Sequence, residues 1–259
     1  MLTPETPSPA CASCLKVIRF AFFILSTSAF AQQNSGPPVQ AKADDKSIFQ
    51  RGMEMYQSKN FVNALRAFTE AATAGNVDAM MYAGTMNANG EGTTVNYHEA
   101  LTWFRKAADK GDGQAMCDLA IIYYRGLGIP VQYFEALRWF RSSASAGNTQ
   151  GMFNLGLMYQ GGLSVPVNLK EALRWFNAAA SGDNDLAMNS LGVMYQKGQG
   201  VDEDYAEAMK WFRAAADLGN RVAMDNIGTM YEQGLGVPKD LDEAKKWRAK
   251  AADGGGLEQ

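Results

Sequence analysis

The sequence predicts an all-α protein, an α-solenoid of about six antiparallel helix pairs, and two observations carry that expectation. The first is spacing. All five tryptophans, Trp103, Trp139, Trp175, Trp211 and Trp247, stand 36 residues apart, and Met80, Met116, Met152, Met188 and Met224 keep the same register. So do Gly90, Gly126, Gly162, Gly198 and Gly234. A period held over five copies without an insertion marks a repeat array. The second observation is the pattern inside one copy, residues 184–219, which changes from one helical stripe to another across a glycine-rich break.

In that copy Ala187, Met188, Leu191, Met194 and Tyr195 recur at helical spacing, so the first half is a helix with one apolar stripe. Asn76, Asp112, Asn148, Asn184 and Asn220 precede it in the successive copies. Each can accept from an orphan amide of the first turn as an N-cap. Gly198 and Gly200 end the helix. The second helix opens on a capping box, Asp204 with Glu207, repeated as Asn96 with Glu99, Asn168 with Glu171 and Asp240 with Glu243. In such a box the glutamate reaches back to the cap amide. Gln132 weakens the box in one copy. Ala208, Met209, Phe212 and Ala215 form the buried stripe, while Glu207 with Lys210, Glu135 with Arg138 and Glu171 with Arg174 are i,i+3 pairs on the wet side. One repeat is therefore an antiparallel hairpin in which Gly192 and Ala208 permit close approach. Phe212 and Trp211 are expected to project where the next hairpin covers them, so the hairpins must stack.

The signature A-M-x-x-L-G-x-M-Y-x-x-G-x-G-V at residues 187–201, followed by Y-x-E-A-x-x-W-F, resembles the Sel1-like repeat, a 36-residue relative of the tetratricopeptide repeat. The resemblance covers residues 76–252. It implies a right-handed superhelix whose first helices line a concave side.

The chain divides in order. Residues 1–31 read as a signal peptide: Lys16 and Arg19 precede the apolar run 20–25, and Ala29-Phe30-Ala31 carries the small-residue spacing of a cleavage site before Gln32. The run is short of the ~20 residues of a span. The protein is thus expected in the periplasm or secreted, with no membrane span in the mature form. Cys11 and Cys14 leave with the leader, and Gln32 stands where a lipid-bearing cysteine would be needed. Residues 32–46 read as a flexible linker. Residues 47–74 form a tetratricopeptide-like helix pair with Gly52, Ala64, Phe68 and Ala71, residues 75–253 five Sel1-like repeats, and residues 254–259 a frayed tail. Lys245, Lys246, Arg248 and Lys250 would solvate the last helix.

Composition narrows the chemistry. The chain holds 24 basic and 27 acidic residues, and removal of the leader leaves 22 against 26, with no basic stripe, which argues against a nucleic-acid partner. The only histidine, His98, has Phe134, Lys170, Ala206 and Asp242 as its repeat equivalents and no positioned partner for base catalysis. One histidine and one mature cysteine cannot assemble a zinc site, and there is no phosphate-cradling G-x-x-x-x-G-K-[ST]. No catalytic residue, metal site or cofactor is expected. The resemblance also extends to cysteine-rich secreted proteins described as penicillin-binding and weakly β-lactamase-like, and such a hydrolase is the alternative function. Those relatives carry paired cysteines in each repeat. This chain lacks them, and its one S-x-x-K, residues 13–16, falls in the leader.

The resemblance also places the partner site. Positions one, five and eight residues after the repeated methionine should face the groove. In the middle repeats these are mostly apolar, giving the strip Cys117, Ile121, Tyr124, Phe153, Leu157 and Val193, with Gln160 and Gln196 the polar members eight residues after the methionine. Asn189, Thr229 and Glu232 stand at equivalent places, so the repeat itself does not demand apolar residues there. A strip of this kind marks either a partner surface or side chains closed against one another by tight curvature. The expected protein is a monomeric interaction scaffold holding a protein or peptide in its groove.

Overall fold

The structure, a computed structural model, describes residues 45–253. The leader, the linker before Asp45 and the tail 254–259 lie outside the described residues. Twelve α-helices follow one another and no strand occurs among the described residues. The first pair is α1 (Asp45–Gln57) and α2 (Phe61–Thr73). Five further pairs are α3 (Val77–Asn89) with α4 (Tyr97–Ala108), α5 (Gly113–Arg125) with α6 (Tyr133–Ser145), α7 (Thr149–Gly161) with α8 (Leu169–Ala180), α9 (Asp185–Lys197) with α10 (Tyr205–Asp217), and α11 (Arg221–Gln233) with α12 (Leu241–Ala252). Each helix packs on its neighbours in sequence, the contact pattern of a solenoid. Helix α1 begins at Asp45, two residues ahead of the Ser47 expected, because Asp45 supplies the acidic first turn that a helix dipole favours.

The first helices start as the sequence requires. Asn76, Asp112, Asn148, Asn184 and Asn220 accept from the amides of Ala79, Ala115, Gly151, Ala187 and Ala223. Three of these asparagines also donate to the preceding first helix: Asn148 to Gln114 (3.0 Å), Asn220 to Asp185 (2.8 Å) and Asn76 to Asp45 (3.4 Å). One side chain thereby caps its own helix and ties it to the repeat before.

The second helices depart from expectation. Asn96, Asn168, Asp204 and Asp240 accept from N3 amides, and Gln132 makes no side-chain cap bond. The glutamates do not reach back. The cap amides of Asn96, Gln132, Asn168, Asp204 and Asp240 instead donate to the carbonyls of Asn87, Tyr123, Tyr159, Tyr195 and Tyr231 at 2.8, 2.9, 2.9, 2.9 and 2.9 Å. The reason is the loop. A left-handed glycine such as Gly198 (φ 62°) folds the chain back so that a carbonyl left orphaned at the end of the first helix meets the cap amide. Glutamates Glu171, Glu207 and Glu243 are then free to pair with Arg174, Lys210 and Lys246 at 3.0, 3.2 and 2.9 Å.

The core is built within each hairpin. Phe68, Phe104, Phe140, Phe176 and Phe212 are all fully buried. Each ring lies against the small residue of its own first helix: a methyl group placed on Gly192 would come within 2.5 Å of Phe212, and one on Gly156 within 2.6 Å of Phe176. Phe212 therefore does not wait for the next repeat, as the sequence led us to expect. It fills the slot left by Gly192. Trp211 is half-buried at the seam. The first pair is joined to the array by aromatic packing, with Tyr82 stacked on Phe68 (centroids 4.7 Å) and 5.8 Å from both Phe49 and Tyr56. The Tyr56 hydroxyl donates to Glu91 (2.9 Å) across the same seam.

Candidate partner-binding face

The face considered is the one made by the first helices, α3, α5, α7, α9 and α11. Hydrogen bonds between successive copies run along it. Besides the cap asparagines, Asn154 donates to Cys117 Sγ (3.8 Å) and Asn226 donates to Asn189 (2.9 Å), while Asn154 also donates within its own helix to the Gln150 carbonyl (2.9 Å). Helices α5 and α7 also pack directly on each other.

The six residues singled out by repeat phase separate into two groups. Cys117 is 0% exposed and Phe153 only 7%. Neither presents a surface, contrary to the expectation that both face an open groove. Cys117 is enclosed between α5, Asn154 and Ser143, and burial pushes its thiol well above the ordinary value. Phe153 turns its ring onto Phe176 (centroids 5.8 Å). Ile121, Tyr124, Leu157 and Val193 are half-buried and remain in reach of solvent. Tyr124 is held edge-on by Tyr133 at 5.5 Å and Phe140 at 6.4 Å, so its ring is positioned by the hairpin rather than loose.

Phase counting missed the next residue along, the one two positions after the methionine. There stand Tyr82, Asp118, Asn154, Ser190 and Asn226. Asp118 is buried, with one carboxylate oxygen accepting from Gln114 (3.1 Å) and the other without a partner. Burial pushes its pKa up to about 7 against the bond from Gln114, with Asp112 adding to the rise. The signal was in the sequence: four of five copies are polar at a position beside the apolar stripe. Asn154 and Asn226 spend that polarity on inter-repeat bonds, and Asp118 does not.

His98 is exposed at the start of α4. Among the described residues no three His, Cys, Asp or Glu side chains are grouped to hold a metal, and no helix is long and apolar enough to cross a membrane.

Comparison with known proteins follows this geometry. The family model for the Sel1 repeat matches five times, at residues 77–112, 113–148, 149–184, 185–220 and 221–256. A protective antigen of uropathogenic Escherichia coli strains, described as displaying an SLR fold, is 31% identical with a TM-score of 0.74. The match covers 81% of this chain and 46% of the antigen, so the chain spans just under half that protein's length. A Sel1 repeat protein from Oxalobacter formigenes is 28% identical with a TM-score of 0.76, covering 83% of this chain and 90% of its own. A putative Sel1 repeat protein from Klebsiella pneumoniae, 24% identical over 73% of this chain and 91% of its own at a TM-score of 0.51, shares the fold. No curated protein matches.

Proposed function

Since the chain belongs to the Sel1 repeat family, whose members are typically protein-interaction scaffolds, we propose that it is an exported, non-enzymatic adaptor. It holds a protein or peptide against the first-helix face of its middle repeats. The observation that carries this reading is the half-buried strip of Ile121, Tyr124, Leu157 and Val193. The fold does not need apolar groups there, since Thr85 and Thr229 occupy the places of Ile121, Leu157 and Val193 in the outer copies. Tyr124 supplies a rigid aromatic anchor of the type enriched at interface centres. Roles in envelope signalling, surface assembly or host contact all fit such a surface.

The test is capture of the partner from envelope extract, followed by Tyr124→Ala with Leu157→Ala. Each truncation of an anchor should cost about 2 kcal/mol, a loss of roughly 30-fold per side chain. Thr229→Ala, at the same phase in an outer repeat, should leave affinity unchanged. Full affinity in the double variant with helical content preserved would place the partner elsewhere. A hydrolase would show itself separately as turnover of a chromogenic β-lactam by the purified protein.

Export rests on the leader, residues 1–31, and is supported by the likeness to a protective antigen. N-terminal sequencing of the material outside the cytoplasm should begin at Gln32. A dominant species retaining residues of the leader would refute cleavage there.

A further inference from the structure

The second helices form the other layer of the array, and their charges are unevenly placed. Residues 102–110, the later part of α4 with the turn after it, and residues 135–145 of α6 carry Arg105, Lys106, Lys110, Arg138 and Arg141 against Asp109 and Glu135. The chain as a whole holds 24 basic and 27 acidic residues, so the excess of cations is local. Arg138 pairs with Glu135 at 3.6 Å, the longest ion pair among the described residues, and the other four cations make none there. Elsewhere in the layer most cations are matched. Arg174 and Lys210 pair with Glu171 and Glu207 at 3.0 and 3.2 Å, and in α12 Lys245, Lys246 and Arg248 pair with Asp242, Glu243 and Glu232. Helices α2, α8, α10 and α12 each keep a single cation outside an ion pair, Arg66, Lys170, Arg213 and Lys250.

Two guanidiniums of the cluster share one ring. Arg105 lies over Trp139 at 4.7 Å and Arg138 at 5.5 Å, while the Lys106 ammonium sits over Trp103 at 4.0 Å. The repeat does not dictate this. Arg141 and Arg213, which take the place of Arg105 in later copies, donate to the hydroxyls of Tyr159 and Tyr231 at 2.9 Å, but Arg105 leaves Tyr123 and crosses to the indole of the next repeat. Asn177 and Ala249 stand at the same place in α8 and α12. A guanidinium laid on an aromatic face is held by the ring while the N–H groups on its edge stay open, and that planar fork matches a carboxylate.

We propose that this α4–α6 cluster is a second docking surface, which takes a short acidic segment of a partner protein with its carboxylates on the edges of Arg105 and Arg138 and beside Lys106. It is separate from the first-helix face and does not depend on the reading given to that face. Phe134, 68% exposed, stands one turn before Arg138, a combination that a lipid surface also uses. Extent decides between them. A wide anionic surface, bilayer or nucleic acid, reaching the helix starts would also cover Asp202, Glu203 and Asp204, all exposed in the loop before α10, whereas a short segment touches the cluster alone.

Fluorescence anisotropy of a labelled octaglutamate peptide, titrated with the purified protein at low ionic strength, tests the proposal. Binding should saturate, and raising the salt should weaken it, because exposed charges are screened. Arg105→Gln with Arg138→Gln should weaken binding about tenfold, the loss expected from two exposed pairs. Lys210→Gln with Lys246→Gln removes the same charge from later second helices and should change binding by less than about twofold. None of these four side chains is buried, so circular dichroism should stay the same in both variants. Absence of saturable binding overturns the proposal. So does an equal loss in the two double variants, or cosedimentation with phosphatidylglycerol vesicles that the Arg105 and Arg138 changes abolish.

Discussion

Phe176→Ala should destabilise the middle of the array by about 3 to 5 kcal/mol. The ring is 0% exposed and seated against Gly156, so its removal opens a cavity that the rigid backbones of α7 and α8 cannot close. Because coupling in a solenoid runs only between neighbours, the loss should also divide the cooperative unit. Urea denaturation followed by circular dichroism should change from one transition towards two, with the first at a lower midpoint. Trp211→Ala is the contrast. Its indole is half-buried at a seam, and its loss should cost about 1 to 2 kcal/mol. Equal costs for the two substitutions would contradict the placement of the core inside each hairpin.

The second large effect has the opposite sign. Asp118→Asn should stabilise the protein at pH 8 by up to about 4 kcal/mol and change it little at pH 4. Asp118 is the one acidic side chain among the described buried residues, and one of its oxygens has no partner. Its pKa stands at about 7 in the folded protein, raised mainly by burial, against an ordinary 3.8. Between these values the folded state holds a proton that the unfolded chain has released. Stability therefore falls as pH rises from 4 through 7, and the whole cost is present above 7. Asparagine keeps the shape and the acceptor for Gln114 but cannot ionise. Denaturation midpoints of the two proteins should converge at pH 4 and separate at pH 8; coincidence at pH 8 would show that the carboxylate reaches water.

Much of this architecture is legible in the residues, and the rest is hidden for physical reasons. The cap asparagines, the helix-ending glycines and the i,i+3 pairs are local: each depends on backbone within a turn or two, so spacing alone reveals them. The capping box is only half local. Whether a glutamate reaches the cap amide depends on what else that amide meets, and here a carbonyl from the previous helix arrives first. Phe212 shows a similar limit. A helical stripe tells which face is buried but not whether the covering surface belongs to the same hairpin or the next. For the candidate face, repeat phase located Ile121, Tyr124, Leu157 and Val193 where they stand half-open, yet it could not see that Phe153 and Cys117, one turn away, are closed off by their neighbours.

Arg248 stands where the four preceding repeats bury phenylalanine. Its stem passes over Gly228 and its guanidinium reaches Glu232 at 2.6 Å, so the α11–α12 hairpin is closed by an ion pair open to water instead of a sealed ring. Such a pair holds geometry but contributes little free energy, and salt weakens it. Opening this hairpin therefore uncovers no aromatic ring at the slot that the four preceding repeats fill with buried phenylalanine, and the slot resists opening least here. Proteases and chaperones that read transient openings would meet this protein by its last helix first.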